Sequence, residues 1–264
     1  MLFKSLKALF VVWALGVIFF AAPLIAQGFP NIKPTIVERA DTPEDVTSTI
    51  ELLLLLTVLS VAPGILIMTT AFTRIVIVFG FLRMALSTQQ LPPTQVLTGM
   101  AMILTFLIMR PTINEIRHDA LVPYLDAEIT QAEAFDRSVQ SLRRFMFSQV
   151  ANDDLRMFGE LSGDKPLEWT KHEDVDTFVL MPAFVLSELK RGFYMGFMLF
   201  IPFMIIDLVV STVLISMGML VLPPVLISLP FKILLFVLVD GWSLLVMSLY
   251  KSFEGGTQGG GVAP

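Results

Sequence analysis

Three charged side chains interrupt the longest apolar part of the sequence. Across residues 192–250 the only charged groups are Asp207, Lys232 and Asp240. A charge at the centre of a membrane helix costs about 2.5–3.5 kcal/mol, so such groups are usually paired or face protein or water. They could form an ion or proton path, or a clasp that fixes how helices or subunits pack. The clasp is favoured, because a relay usually needs further carboxylates or histidines, and neither histidine lies in this stretch.

The spacing of two of these charges argues against a direct contact between them. Lys232 and Asp240 are eight positions apart on one predicted helix. That separation is about two helical turns with an offset of about 80°. Each side chain is therefore expected to reach another helix, which favours an oligomer.

An earlier apolar stretch carries two arginines, Arg74 and Arg83, while no acidic residue occurs between Glu51 and Glu115. Positive charge next to membrane helices accumulates on the cytoplasmic side. The connection that follows this stretch is therefore predicted to be cytoplasmic, and the two arginines are candidates for buried-charge or assembly contacts.

Two further patterns concern packing and a possible seal. Gly192 and Gly196 have the small-xxx-small spacing that lets membrane helices approach closely. Met217-Gly218-Met219 precedes a predicted helix-to-helix turn, where flexible thioethers could form a compliant seal beside a pore. The other reading is core filler, which the residue pattern alone favours because the chain holds 15 methionines.

The motifs of several functional classes are missing from the sequence. It has no Gly-x-Ser-x-Gly, no His-Glu-x-x-His and no phosphate-binding Gly-x-x-x-x-Gly-Lys, so we predict that the protein is not an enzyme. With no cysteine and two histidines, neither a metal site nor a cofactor is expected. A net charge of -5 gives no basic footprint for nucleic acid.

The composition of the chain indicates whether these residues lie in water or in a membrane. The 264 residues are 55% hydrophobic and 16% charged, with a mean hydropathy of +0.77. A soluble domain carries roughly 25% charged residues, so the bilayer is the expected solvent for the long apolar runs. We predict an all-α, multi-pass membrane protein with about four hydrophobic helices in two kinked hairpins, 50–111 and 192–251.

The ends of the chain are interpreted separately. Lys4 and Lys7 precede an apolar run and a small-residue break, which predicts a signal peptide over residues 1–26. The other interpretation is an uncleaved first membrane helix. Residues 27–49 are expected to be a flexible periplasmic lead-in, and residues 252–264 a disordered tail.

A polar stretch separates the two hairpins. Residues 112–191 hold fifteen of the 23 acidic residues and nine of the 18 basic ones. We expect a helical periplasmic domain with one amphipathic helix, because apolar residues recur there at helical spacing, at Phe135, Val139, Leu142 and Met146.

Longer segments resemble a known family. The sequence is similar to the FliP family of flagellar export-gate membrane proteins and to its SctR-like counterparts in virulence secretion. The resemblance rests on three segments: 182–196 (PAFVLSELKRGFYMG), 202–242 (beginning PFMIIDLVVS and including MGM, LPFK and VDGW), and 72–93 (beginning FTRIV and ending LPP).

This resemblance implies a role in assembly and transport. A homo-oligomer, a pentamer in the family, is expected to combine with FliQ-like and FliR-like subunits around a pore for unfolded flagellar substrates, with a FlhB-like protein docked on its cytoplasmic side. The implied location is the bacterial inner membrane, in contact with lipid, within the flagellar basal body. Met217, Gly218 and Met219 match the family's methionine-rich pore constriction. The alternative is a self-contained proton-coupled transporter that uses Asp207 and Asp240.

Overall fold

The structure is a computed structural model that describes residues 43–88, 92–163, 172–219 and 222–254. Within those ranges the ordered elements are all helical. In chain order they are α1 (Pro43–Met68), α2 (Phe72–Ala85), α3 (Thr94–Ile116), a π-helical turn (Arg117–Leu121), α4 (Val122–Leu125), α5 (Gln131–Gln149), α6 (Asn152–Ser162), a 3₁₀ turn (His172–Asp174), α7 (Thr177–Ser216), α8 (Pro224–Leu238) and α9 (Gly241–Glu254).

Two helices are long and apolar enough to cross a membrane. They are the continuous helix from Thr94 to Leu125 and the 40-residue α7. The number rises to four if Leu59–Met68 with α2, and α8 with α9, each count as one broken span. The prediction of an all-α protein with apolar spanning helices is confirmed.

Helix α1 belongs largely to a compact unit that ends at Leu66, and the elements from Ile67 onward form a second unit. Helix α1 starts at Pro43, so the lead-in predicted over residues 27–49 is wrong for its last seven positions. Proline is well suited to the first helical turn, where its missing N–H has no partner to lose. The predicted signal peptide lies outside the described residues.

Two helices continue through positions at which the sequence suggested a segment limit, and both helices contain prolines. Helix α3 continues through Pro111, and α7 runs through Pro182 and Pro202. The predicted domain limits at 111 and 191 therefore both fall inside continuous helices. Hydropathy changes at those positions, but the backbone hydrogen bonds do not depend on hydropathy, and apolar helices tolerate the one bond that a proline removes.

The last hydrophobic helix, in contrast, is broken where no proline lies. Helices α8 and α9 meet at 64°, with Asp240 between them in the left-handed region at φ 51°. Beside it, a Cβ on Gly241 would lie 2.3 Å from the Phe236 ring, so the ring occupies the space of the missing side chain. Helix α9 then extends to Glu254, which corrects the predicted tail at residues 252–254.

The core of the second unit forms where α2 packs against α7 and α3. Gly192 and Gly196 of α7 face α2, because a Cβ at these positions would lie 3.1 Å from Ile77 and 2.3 Å from Phe81. The predicted close approach of helices at this glycine pair is thus an intrachain contact between α7 and α2.

A second apolar cluster joins α5, α6 and α7. Helix α5 is amphipathic, as predicted, but its buried face is rotated from the predicted stripe. Ala134, Ser138 and Ser141 are buried, whereas Phe135 is 54% exposed. Met146 of the predicted stripe is buried as well. The small residues lie inward because α5 packs closely against its neighbours.

Candidate functional site: two ion pairs and a methionine turn

Arg74 is fully buried at the centre of the second unit and pairs with Glu188, which is also fully buried. Its Nε donates to Glu188 Oε2 at 2.9 Å, and its Nη2 donates to Glu188 Oε1. Two parallel N–H···O bonds between a guanidinium and a carboxylate are the strongest form of side-chain hydrogen bonding. The pair joins α2 to α7.

The remaining donors of Arg74 are also used. Nη1 donates to the Ser252 carbonyl oxygen at 3.0 Å and to Ser252 Oγ at 2.9 Å, while Nη2 donates to Gln149 Oε1 at 3.1 Å. The centre of the Phe253 ring lies 3.7 Å from the guanidinium carbon of Arg74. The backbone carbonyl oxygen of Phe253 accepts a hydrogen bond from Gln149 Nε2 at 3.0 Å. A buried charge is tolerated when all its hydrogen bonds are made. This residue therefore links α2, α5, α7 and α9.

A second buried cation lies near the other end of α7. Lys232 on α8 is 1% exposed, and its Nζ donates to Asp207 Oδ2 and to Ser87 Oγ, each at 2.6 Å. Ser228 Oγ donates to Asp207 Oδ1 at 2.6 Å. Each of the two Asp207 carboxylate oxygens thus accepts a hydrogen bond, and the cluster connects α7, α8 and the turn after α2.

This geometry changes what the charges imply. Lys232 reaches another helix, as the spacing argument required, but Asp207 belongs to the same chain. The pairing therefore does not by itself argue for an oligomer. Asp240 is exposed at the α8–α9 break, where its backbone N–H donates to Val237 O at 3.1 Å, and lies apart from the Asp207 cluster.

The other predicted arginine has a more local contact. Arg83 is partly exposed, and its Nη1 donates to Thr94 Oγ1 at 2.7 Å, across the connection between α2 and α3. The structure thus separates Arg83 from Arg74, which the sequence had grouped together.

The methionine turn closes α7 and is exposed. Met217 is 67% exposed and Met219 39% exposed, while Gly218 adopts φ 75°. Backbone N–H groups of Gly218 and Met219 donate to the last carbonyls of the helix, at 2.9 and 3.0 Å. A methionine that fills the core of its own chain is buried, as Met146 is at 2% exposure. Met217 and Met219 therefore project from this chain.

Outside the apolar helices, one arginine organises the polar domain. Arg143 of α5 donates to the carbonyl oxygens of Val175 at 2.6 Å and His172 at 3.0 Å. Burial lowers the pKa of Arg143, and the nearby carboxylates of Asp176 and Asp136 partly oppose that shift. The guanidinium remains protonated at neutral pH, so it holds the start of α7 against α5.

Sequence reasoning missed five residues that complete the two ion-pair clusters: Glu188, Gln149, Ser252, Ser87 and Ser228. Glu188 was counted among the charges of the polar domain because it precedes the apolar run. A signal was present in the spacing, since Glu188 is four positions after Phe184 and four before Gly192, on the same face of one helix. Within the described ranges, no group of three or more acidic or histidine side chains is arranged to hold a metal ion.

Comparison with known proteins gives one consistent result. A model of the FliP family matches residues 55–249. The protein named flagellar biosynthetic protein FliP in Bacillus subtilis (strain 168) is 55% identical over 212 residues, covering 80% of this chain and 95% of the relative.

Two more distant relatives carry the same name. The Caulobacter vibrioides protein is 49% identical over 210 residues, covering 80% of this chain and 78% of the relative. The Aquifex aeolicus protein is 42% identical over 241 residues, covering 91% and 99%. The matched region contains both ion pairs and the methionine turn.

Proposed function

The chain belongs to the FliP family, and on that premise we propose that it is a core subunit of the flagellar type III protein export gate. In this proposal, copies of the chain, five by family resemblance, assemble with FliQ-like and FliR-like subunits around a pore for unfolded flagellar substrates. A FlhB-like protein docks on the cytoplasmic side.

The observation that carries the proposal is the bare apolar surface of α7. Only 11% of its most apolar 18-residue window is buried within the chain. Ile205, Leu208 and Val213 are each more than half exposed. Apolar surface of this extent needs lipid or protein to cover it, at about 25 cal/mol per Å² of area removed from water.

The two ion pairs, of which Arg74–Glu188 is fully buried while Asp207 in the other is 32% exposed, support a subunit that docks as a rigid body. The ionised groups Arg74, Glu188, Lys232 and Asp207 are satisfied inside one chain. The surface that α7 presents to a neighbour is then mainly apolar, so assembly requires little desolvation of charge.

The methionine turn supports a pore-lining role. Thioether side chains are flexible and adapt to irregular surfaces. Because Met217 and Met219 project from the end of α7, a ring of copies can bring these side chains together at its axis. In this proposal they form a compliant seal that yields to a passing polypeptide.

The apolar helices fit a membrane location. In this proposal the protein lies in the inner membrane, within the flagellar basal body. Residues 1–26 are removed as a signal peptide, and the polar domain lies in the periplasm.

The alternative, a proton-coupled transporter, has less support from the geometry. Its relay needs Asp207 free to exchange protons, but Asp207 accepts from both Lys232 and Ser228. Its second group, Asp240, is not part of that cluster and lies at the α8–α9 break. The charges are better explained as a clasp.

The decisive experiment is co-expression with the FliQ-like and FliR-like proteins of the same genome, followed by cryo-electron microscopy of the detergent-extracted particle. We expect a closed ring of this chain with Met217 facing the axis. A solitary, folded, lipid-embedded chain that retains neither partner would overturn the proposal.

A further inference from the structure

A cavity lies where the charged part of α7 meets its apolar part. It has a volume of about 450 Å³ and opens to the surface. Its lining contains three cations, two hydroxyl-bearing side chains and one thioether, with no acidic residue: Arg74, Lys190, Arg191, Tyr194, Met195 and Ser252.

The cations of this cavity differ in how fully they are used. Arg74 is saturated by its internal partners and contributes only its charge. Arg191 donates to Gln149 Oε1 at 3.2 Å, the one hydrogen bond found for its guanidinium within the described ranges. A guanidinium has five N–H donors, so four remain for a ligand. Lys190 pairs with Asp154 through one of its three donors, and its side chain is 61% exposed.

We propose that this cavity binds the phosphate group of an anionic phospholipid. Glu188 pairs with Arg74 and Asp154 pairs with Lys190, so the positive charge in excess is that of Arg191. Its N–H donors match phosphate oxygens, which arginine binds in a bidentate manner. Free phosphate shares this chemistry, so the surroundings of the cavity decide between the two sources.

Those surroundings favour a lipid. The face of α7 that holds Arg191 and Tyr194 continues one and three turns further on with Met198 and Ile205, which are 48% and 57% exposed. Residues 192–206 carry no charge. Tyr194 is 65% exposed at the boundary, the position at which tyrosines lie in membrane interfaces. A headgroup in the cavity would place its acyl chains along this apolar face.

The test is native mass spectrometry of the full-length protein, extracted with its co-expressed partners and titrated with dioleoylphosphatidylglycerol or dioleoylphosphatidylcholine. We expect a preference for phosphatidylglycerol that Arg191→Gln reduces about tenfold, as loss of a charge-assisted contact implies. Arg191→Lys keeps the charge but loses the fork geometry, so we expect a measurable loss of the preference that is smaller than the loss with Arg191→Gln.

The matched control is Arg110→Gln, which removes an exposed cation from α3 outside the cavity. It is expected to leave the preference unchanged. Circular dichroism and size-exclusion profiles show whether each variant remains folded, and Arg191→Lys serves as the readout if Arg191→Gln does not.

Three results would overturn the proposal. One is that Arg191→Gln and Arg110→Gln reduce the preference for phosphatidylglycerol equally, or that neither Arg191 variant reduces it. Either outcome would mean that the lipid is attracted without a specific site. Another is full competition by inorganic phosphate with no lipid preference. The third is a complex that binds no phosphatidylglycerol and that Arg191→Gln dissociates, which would assign the cavity to a carboxylate of a partner subunit.

Discussion

Arg74 on α2 and Glu188 on α7 form a two-pronged ion pair in which neither side chain is exposed to solvent. The two residues are 114 positions apart in the chain. The contact therefore fixes the register of the two helices that make the largest packing surface of the second unit.

Breaking this pair from one side is expected to be severe. Arg74→Gln leaves Glu188 as an uncompensated buried carboxylate, which costs about 3–5 kcal/mol in unfolding free energy. Chemical unfolding in detergent micelles measures the change. The matched control is Arg137→Gln, which breaks the exposed Arg137–Glu133 pair and should cost less than about 1 kcal/mol.

The double variant Arg74→Gln/Glu188→Gln shows how much of the lost unfolding free energy comes from a buried charge left without its partner. Because neither charge remains, it should be less destabilised than the sum of the two single variants. Strict additivity would contradict the assignment of a coupled pair.

The second pair tests the clasp against the proton route. Lys232→Met leaves Asp207 without its cation and is expected to destabilise the protein by about 1–3 kcal/mol, because the lysine is nearly fully buried. Asp240→Asn should be nearly neutral, since asparagine tolerates the left-handed backbone of the α8–α9 break.

Proton flux through reconstituted vesicles is the discriminating measurement. A clasp predicts that Asp207→Asn changes stability and assembly, with no flux in wild type to lose. Flux in the wild-type protein that both Asp207→Asn and Asp240→Asn abolish would support the transporter instead.

The packing of α2 against α7 predicts different stability effects for alanine at three glycines. At Gly196 a Cβ would meet the Phe81 ring at 2.3 Å, at Gly192 it would meet Ile77 at 3.1 Å, and at Gly80 nothing lies within 4 Å. Gly196→Ala should cost about 1–3 kcal/mol through overpacking, and Gly192→Ala less. Gly80→Ala should stabilise α2 by about 0.5–1 kcal/mol.

Thermal unfolding of the three variants in one detergent ranks their changes in stability directly. Gly196→Ala combined with Phe81→Leu should recover part of the loss, because the smaller side chain frees the space. Equal effects at all three positions would mean that α2 and α7 do not pack as described.

Element types were largely predictable from the sequence, whereas pairings were not. Apolar runs and helical spacing are local, so they identified α3, α5, α7 and the turn at Met217. The partner of Lys232 depends on how α7 and α8 cross, and that of Arg74 depends on a contact 114 positions away. Residue types can show that a buried charge needs a partner, but only the packed chain shows which one.

The ends of the helices differ from the predicted segment limits for a related reason. The limits at 111 and 191 followed changes in hydropathy, which report solvent and not backbone hydrogen bonding. The break at Asp240 was missed although a local signal was present, because the dipeptide Asp240-Gly241 is typical of turns and Asp240 lies in the left-handed region.

The methionine turn gives the prediction closest to function. Met217→Ala combined with Met219→Ala removes two exposed thioethers and leaves the helix-ending hydrogen bonds of the backbone in place. We expect the complex with FliQ-like and FliR-like proteins to assemble normally but to leak small ions in planar bilayers, because the proposed seal has lost its flexible side chains. The matched control is Met247→Ala, which removes a similarly exposed methionine from α9. Membranes that stay as tight as wild type with the double variant would refute the seal, and an equal leak with Met247→Ala would show that the effect is not specific to this turn.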